Sequence, residues 1–175
     1  MLDAFYRQIF RPSEDESPSI EVSLLIAGLT LLVMTLNASS RLQLPAGAIS
    51  LLLILFALGG VLGLFWFTAA LYALTSLLRR DDDFQMLLLA VLSGLWPLMF
   101  SGAALSAQRL SAGFGALFSI AVTLGTVVTL TRSLARVQSF RPWQSFLFLI
   151  VAMLLSMGAV SVSYTHLTLP TILLV

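Results

Sequence analysis

The chain has no cysteine and no lysine, and its one histidine, His166, lies close to the C-terminal end. Without cysteine there are no disulfides, thiolate metal sites or thiol nucleophiles. Charge is scarce as well: 10% of the residues are charged, against about 25% in a soluble domain that needs a solvated shell. Eight acids and nine bases cannot cover a water-facing surface of this size. The apolar runs hold no Asp, Glu, Lys, Arg or His beyond Glu21 at the entrance of the first. Proton relays and ion paths inside a membrane are built from ionisable groups facing a cavity, so a coupled pump and an intramembrane protease are both disfavoured. A serine nucleophile needs a partner base, and none is available. No catalytic, cofactor-binding or metal-binding residue is expected, and no nucleic-acid partner.

What is abundant is oil. Hydrophobic residues make up 59% of the chain, and the mean hydropathy is +1.02. Long apolar runs parted by short charged ones indicate several membrane-crossing helices. All nine basic residues are arginines, as a GC-rich genome favours, and arginine pairs well with lipid phosphates. No positive cluster and cleavage site precede the first apolar run, so no secretory signal is read. Leu2, Phe5, Tyr6, Ile9 and Phe10 share one helical face, which predicts a short amphipathic helix in the headgroup layer.

The expected fold is all-α, a polytopic membrane helical bundle of five transmembrane helices with a cytoplasmic N-terminus. Residues 1–19 form a cytoplasmic segment with the interfacial helix, and 20–160 form the membrane domain. Its spans are read at about 20–36, 46–78, 84–107, 113–131 and 143–160, the last one truncated. Span one sits at the lower limit for crossing a ~30 Å core, and Asn37 to Pro45 is read as the turn after it. Span two would stretch ~50 Å as one helix, so it is read as tilted, with Gly59, Gly60 and Gly63 as a thin or bent segment. Pro97 should kink span three by freeing the carbonyl of Ser93.

Arginine sets the orientation. Arg7, Arg11, Arg79, Arg80, Arg132, Arg136 and Arg141 fall on one side of a five-span chain, and only Arg41 and Arg109 on the other. Cytoplasmic loops carry the arginine excess, so the N-terminus is placed inside, in the plasma or inner membrane of a bacterium.

Asp81, Asp82 and Asp83 are the most tempting cluster for magnesium, which takes hard oxygen ligands. Met86 stands one turn on, where such a site would need another carboxylate. Asp83 is therefore read as the cap of span three. Ser119, Thr123, Thr126 and Thr129 lie along one side of span four, and Gly59/Gly63 and Ala90/Gly94 are small-xxx-small pairs. These stripes predict close helix packing. Trp143, after Arg141 and Pro142, is read as an interfacial anchor.

The last stretch, Ser161 to Val175, differs from the rest. Val162 to Thr171, VSYTHLTLPT, back-translates as GTC TCT TAT ACA CAT CTG ACG CTG CCG ACG. That string resembles the end of a transposase adapter used in short-read library preparation. Ile172 to Leu174 then occupy the sample index, and Val175 the GTG that precedes a stop. Residues 161–175 are therefore read as adapter-derived, which removes His166, and Pro170 would in any case break a membrane helix.

Three stretches carry a resemblance: FRPSEDESPS, LLRRDDDFQMLLLAVLSGLWPLMF and TRSLARVQSFRPWQSFLFLI. The chain resembles the Yip-domain family, whose eukaryotic members are known as Rab-GTPase-interacting proteins. The resemblance implies a cytoplasmic N-terminus, five spans, a third span with Phe then Pro, and a basic amphipathic stretch before the last. Phe84, Pro97 and Arg132 to Arg141 stand at those places. The tripeptides and the glycine-tyrosine-glycine segment of the trafficking members are missing, so Rab binding and functional residues do not carry over. The expected function is that of a non-enzymatic integral membrane protein acting through helix packing with membrane partners or lipids. Its partners would be the bilayer, other membrane proteins or a second copy. The alternative is a small permease or transporter subunit with a path lined by spans three and four.

Overall fold

The computed structural model describes Tyr6 and residues 19–42, 45–77 and 83–172, with 41, 46 and 159–172 described by backbone alone. The amphipathic N-terminal helix, Arg7, Arg11, Arg79, Arg80, Asp81 and Asp82 lie outside the described residues. Every described element is helical: α1 (Ile20–Leu42), α2 (Ala46–Leu77), α3 (Phe84–Gly94), a 3₁₀ turn (Trp96–Phe100), α4 (Ser101–Leu110), α5 (Ala112–Val137) and α6 (Pro142–Ile172). Four stretches are long and apolar enough to cross a membrane: Ile20–Ser40, Gly47–Leu77, Phe84–Leu110 and Ala112–Val137. Pro142–Gly158 is a shorter apolar helix.

α3 is the axis. Leu87, Leu89, Ala90, Val91, Leu92, Ser93 and Gly94 are all buried, because α1, α2 and α5 pack around it. Leu87, Ala90 and Val91 meet Leu71 of α2, Leu130 and Leu134 of α5, and Leu149 and Ala152 of α6 in one apolar cluster. In α5 and α6 the pairs Leu130/Leu134 and Leu149/Ala152 mark one buried stripe each, whereas α3 is buried without interruption from Leu89 to Gly94. Asp83 caps α3 as read from the sequence: its Oδ1 accepts from Gln85 N at 2.9 Å. Phe84, the first residue of the helix, sets its ring against Phe65 and Tyr72 of α2 at centroid distances of 6.0 and 5.9 Å.

Three expectations change. α1 does not turn at Asn37 but runs on to Leu42. Polar residues do not end a helix by themselves, and Ser39 returns its hydroxyl to Leu36 O at 2.9 Å. Span three is broken rather than kinked: the α-helix stops at Gly94 and resumes at Ser101 after the 3₁₀ turn, because Pro97 removes a donor and crowds the preceding turn. α6 passes Pro170 and is described to Ile172, so the proline does not end the helix, although it leaves the carbonyl of His166 without its usual N–H donor. α2 is one uninterrupted helix, about 48 Å long at 1.5 Å per residue. Nothing lies within 4 Å of the Cβ positions of Gly59, Gly60 and Gly63, so the Gly59/Gly63 pair packs against no other described part of the chain.

The α5–α6 turn is specified residue by residue. Ser139 adopts φ 51°, the left-handed conformation found just past many helix ends. Phe140 N then reaches Ala135 O at 3.1 Å and Ser139 N reaches Arg136 O at 3.5 Å, the paired bonds of a Schellman end. Pro142 starts α6, where its missing N–H costs nothing, and the Gln144 side chain accepts from Arg141 N at 3.0 Å. Glycine holds the left-handed conformation without the Cβ conflict. Ser139→Gly is therefore expected to stabilise the protein by about 0.5–1 kcal/mol, read as a raised unfolding midpoint in detergent.

Candidate functional site

Two polar segments that look like turns in the sequence come together at one end of the bundle. The extension of α1 beyond Leu36 brings Asn37 and Ser40 over α4. At Gly102 the two helices meet at ordinary van der Waals distance, a Cβ position there lying 3.4 Å from Val33 Cγ1 and 3.5 Å from Asn37 Oδ1. Asn37 Nδ2 donates to Ser101 Oγ at 3.2 Å, and Arg109 Nη2 donates to Ser40 Oγ at 2.7 Å. These two bonds tie the end of α1 to both ends of α4.

α4 and α5 meet through a single extended residue, Ser111, at φ −156° and ψ 125°. Its backbone closes one helix and opens the next: Ser111 N donates to Ala107 O, and Gly115 N donates to Ser111 O, both at 2.9 Å. So sharp a reversal presses the two helices together. Gly115 sits directly on Gln108, and a Cβ at 115 would lie 2.5 Å from both N and Cα of that residue. Gln108 Nε2 then reaches Ser119 Oγ at 3.4 Å, while Ser119 Oγ donates to Gly115 O at 2.9 Å.

Between α1 and α4 opens a cleft of about 360 Å³ lined by Asn37, Ser40, Gly102, Leu105, Ser106, Gln108 and Arg109. Arg109 is the one charged group among these lining residues, and the rest of the polar lining is hydroxyl and amide. Such a lining offers hydrogen-bond donors around a positive centre. Chemically it suits an anion.

Comparison with models of protein families, with curated proteins and with solved structures gives no match. The site is therefore argued from its own residues. Arg109 and Arg41 enter the sequence reading only as charges that orient the chain, and no site residue is expected there. The signal was present in two runs, NASSR (Asn37 to Arg41) and SAQRLS (Ser106 to Ser111). In an alternating bundle the first and third turns fall at the same end, so the two polar runs face one another.

The other sequence candidates play structural parts. Thr129, on the hydroxyl stripe of α5, donates to Gly94 O at 2.6 Å, which satisfies a carbonyl exposed where α3 breaks. Thr126 is buried and returns its hydroxyl to Val122 O at 2.9 Å. Thr123 is exposed and bonds Ser119 O of its own helix at 2.9 Å. Pro97 packs on Gly125, whose Cβ position is 3.6 Å from Pro97 Cβ. Ala90 and Gly94 form the small pair that is used for packing, against Leu130. Trp143 stays 57% exposed in the first turn of α6, as an interfacial anchor requires. His166 lies in the part of α6 described by backbone alone.

Proposed function

We propose that the chain is a non-enzymatic, five-span integral membrane protein with a cytoplasmic N-terminus. In this reading it works by packing against membrane partners and lipids, in the manner suggested by its likeness to the Yip-domain family. The observation that carries the reading is the outward surface of α2. Leu51, Ile54, Leu55, Leu58 and Leu62 are each more than half exposed, and they belong to the longest apolar helix of the bundle. A contiguous apolar face of this kind is not tolerated in water and is at home in hydrocarbon or against another helix. At the break in α3, Thr129 of α5 bonds Gly94 O directly and Thr126 is buried, which favours packing over a path between those two helices. The family likeness rests on the three stretches quoted above. The proposal uses residues 1–160 alone, given the resemblance of 161–175 to translated adapter.

Orientation supplies the test, and the absence of cysteine makes it clean. Single cysteines at Asp82 and Ser139 should react with an impermeant maleimide only from the cytoplasmic face, and those at Arg41 and Ser111 only from the other. Ser139 is exposed, whereas the adjacent Gln138 is 1% exposed and would label poorly. Labelling of Ser139→Cys from the outer face would overturn the five-span arrangement. Solute flux through liposomes that fell in Pro97 or Thr126 variants would favour a permease instead.

A further inference from the structure

We propose that the cleft between α1 and α4 binds a phosphate oxyanion through Arg109, carried either by a lipid headgroup or by free phosphate. The proposal rests on the reading of the chain as a membrane protein and names a ligand for one end of it. Three observations support it.

The first is the charge balance of the lining. Arg109 is its one charged residue, and among the described residues no carboxylate lines the cleft with it. Arg109 is exposed, so water can solvate it without an acid partner and its guanidinium is open to a ligand from outside. Here its described partner is a neutral hydroxyl, Ser40 Oγ at 2.7 Å. A guanidinium carries five N–H donors in a planar fork, so the Ser40 bond fixes the group in place and leaves donors for a ligand.

The second is the arrangement of the remaining donors. Asn37 and Ser40 come from α1, and Ser106 and Gln108 from α4. Asn37 and Gln108 each keep a second amide N–H beyond their bonds to Ser101 and Ser119, while Ser106, which donates to Gly102 O at 3.1 Å, has to turn its hydroxyl to reach a ligand. Donors reaching one volume from two helices suit the several oxygens of a tetrahedral anion better than a flat carboxylate. The cleft, at about 360 Å³, lies in the range of small-ligand sites.

The third is position. Arg109 stands in the last turn of α4, at the end of an apolar stretch long enough to span a bilayer, where headgroups meet the hydrocarbon. Leu110 and Leu117 nearby in sequence are 87% and 68% exposed, and Leu105 lines the cleft itself. Apolar surface beside a phosphate site is what a lipid with its acyl chains would use.

The experiment is native mass spectrometry of the full chain in non-ionic detergent, offered equal amounts of dioleoyl phosphatidylglycerol and dioleoylglycerol. The wild type should retain the phosphatidylglycerol about tenfold more strongly, the scale of one charge-assisted contact set. Arg109→Ala should bring the two lipids to parity. Arg109→Lys should lose several-fold, because a point charge replaces a fork. Arg136→Ala, on α5, should change nothing. Ser106→Ala leaves the Arg109–Ser40 bond intact and should cost a few-fold, so it and Arg109→Lys decide the matter if Arg109→Ala does not fold. In a second arm, inorganic phosphate is added to lipid-stripped protein and the unfolding midpoint is followed, with acetate as the planar control. A phosphate-induced rise that needs Arg109, without lipid discrimination, assigns the site to free phosphate. Lipid retention and phosphate stabilisation that are both indifferent to Arg109→Lys and Ser106→Ala overturn the proposal. Liposome flotation of the same samples separates the two levels: a chain that does not float defeats the membrane reading, whereas one that floats without Arg109-dependent binding defeats only the site.

Discussion

Gly94→Ala is expected to destabilise the detergent-solubilised protein by about 2–3 kcal/mol, the upper range for overpacking a closed core. A Cβ at this position would lie 2.7 Å from Leu130 Cδ2 and 2.9 Å from Leu130 Cα. The first of these atoms can swing away, but the second is backbone and can move only if α5 moves. Displacing α5 would also stretch the Thr129–Gly94 bond, worth about 0.6 kcal/mol between membrane helices. It would disturb Leu130 and Leu134 in the central cluster as well. Gly63→Ala supplies the control. Its new Cβ meets nothing within 4 Å, so helix propensity alone should leave it equal to the parent or up to about 1 kcal/mol more stable. Adding Leu130→Ala to Gly94→Ala should restore little, since the backbone contact stays and a cavity is added. Equal midpoints for Gly94→Ala and Gly63→Ala would show that α3 and α5 are not in contact here.

Gly115→Ala should cost more, about 3–4 kcal/mol, placing it among the larger single-residue effects. The new methyl would sit 2.5 Å from both N and Cα of Gln108, so relief requires the one-residue reversal at Ser111 to open. Opening it withdraws Gln108 from Ser119 and loosens the cleft that holds Arg109. A second readout tells local opening from general weakening. Ala104 is 3% exposed, so a cysteine placed there should react slowly with maleimide in the parent. With Gly115→Ala the rate should rise by at least tenfold at temperatures well below the midpoint, in line with a local opening made easier by more than 1.4 kcal/mol. An unchanged rate would mean that the strain is absorbed elsewhere.

Much of the architecture was legible because its signals are local. A helix needs only its own residues to satisfy its backbone, and in hydrocarbon it has no alternative. The apolar runs therefore located five of the helix starts that the structure describes to within a residue or so, Ile20, Ala46, Phe84, Ala112 and Pro142, but not the restart at Ser101. Asp83 was legible as a cap for the same reason, since its bond reaches only to Gln85. Helix ends were harder. Asn37 and Ser40 look like turn residues when read in order, yet they extend α1, where α4 offers them partners in Ser101 and Arg109. Pro97 announced a disturbance, but whether it bends a helix or divides it depends on what satisfies the freed carbonyls. Here Thr129 does so from the far side of the interface.

The small-residue pairs show the same division more sharply. Gly59/Gly63 and Ala90/Gly94 carry the same spacing and read alike. Ala90 is fully buried and Gly94 sits against Leu130, while the Cβ positions of Gly59 and Gly63 face open space. Spacing places two small residues on one face, but it does not say what lies opposite.

Composition and hydrophobic pattern alone decided that this protein is helical, that its helices are long enough to cross a bilayer, and that thiol chemistry plays no part in it. Those properties belong to single residues and to segments, and they need no neighbour. Only the tertiary structure decided that α3 is the axis, that the proline divides a span, and that two unremarkable polar runs become one arginine-centred cleft. Each of these depends on atoms far apart in the chain being brought within hydrogen-bonding or van der Waals distance. Ser40 and Arg109, 69 positions apart and 2.7 Å from one another, are the plainest instance.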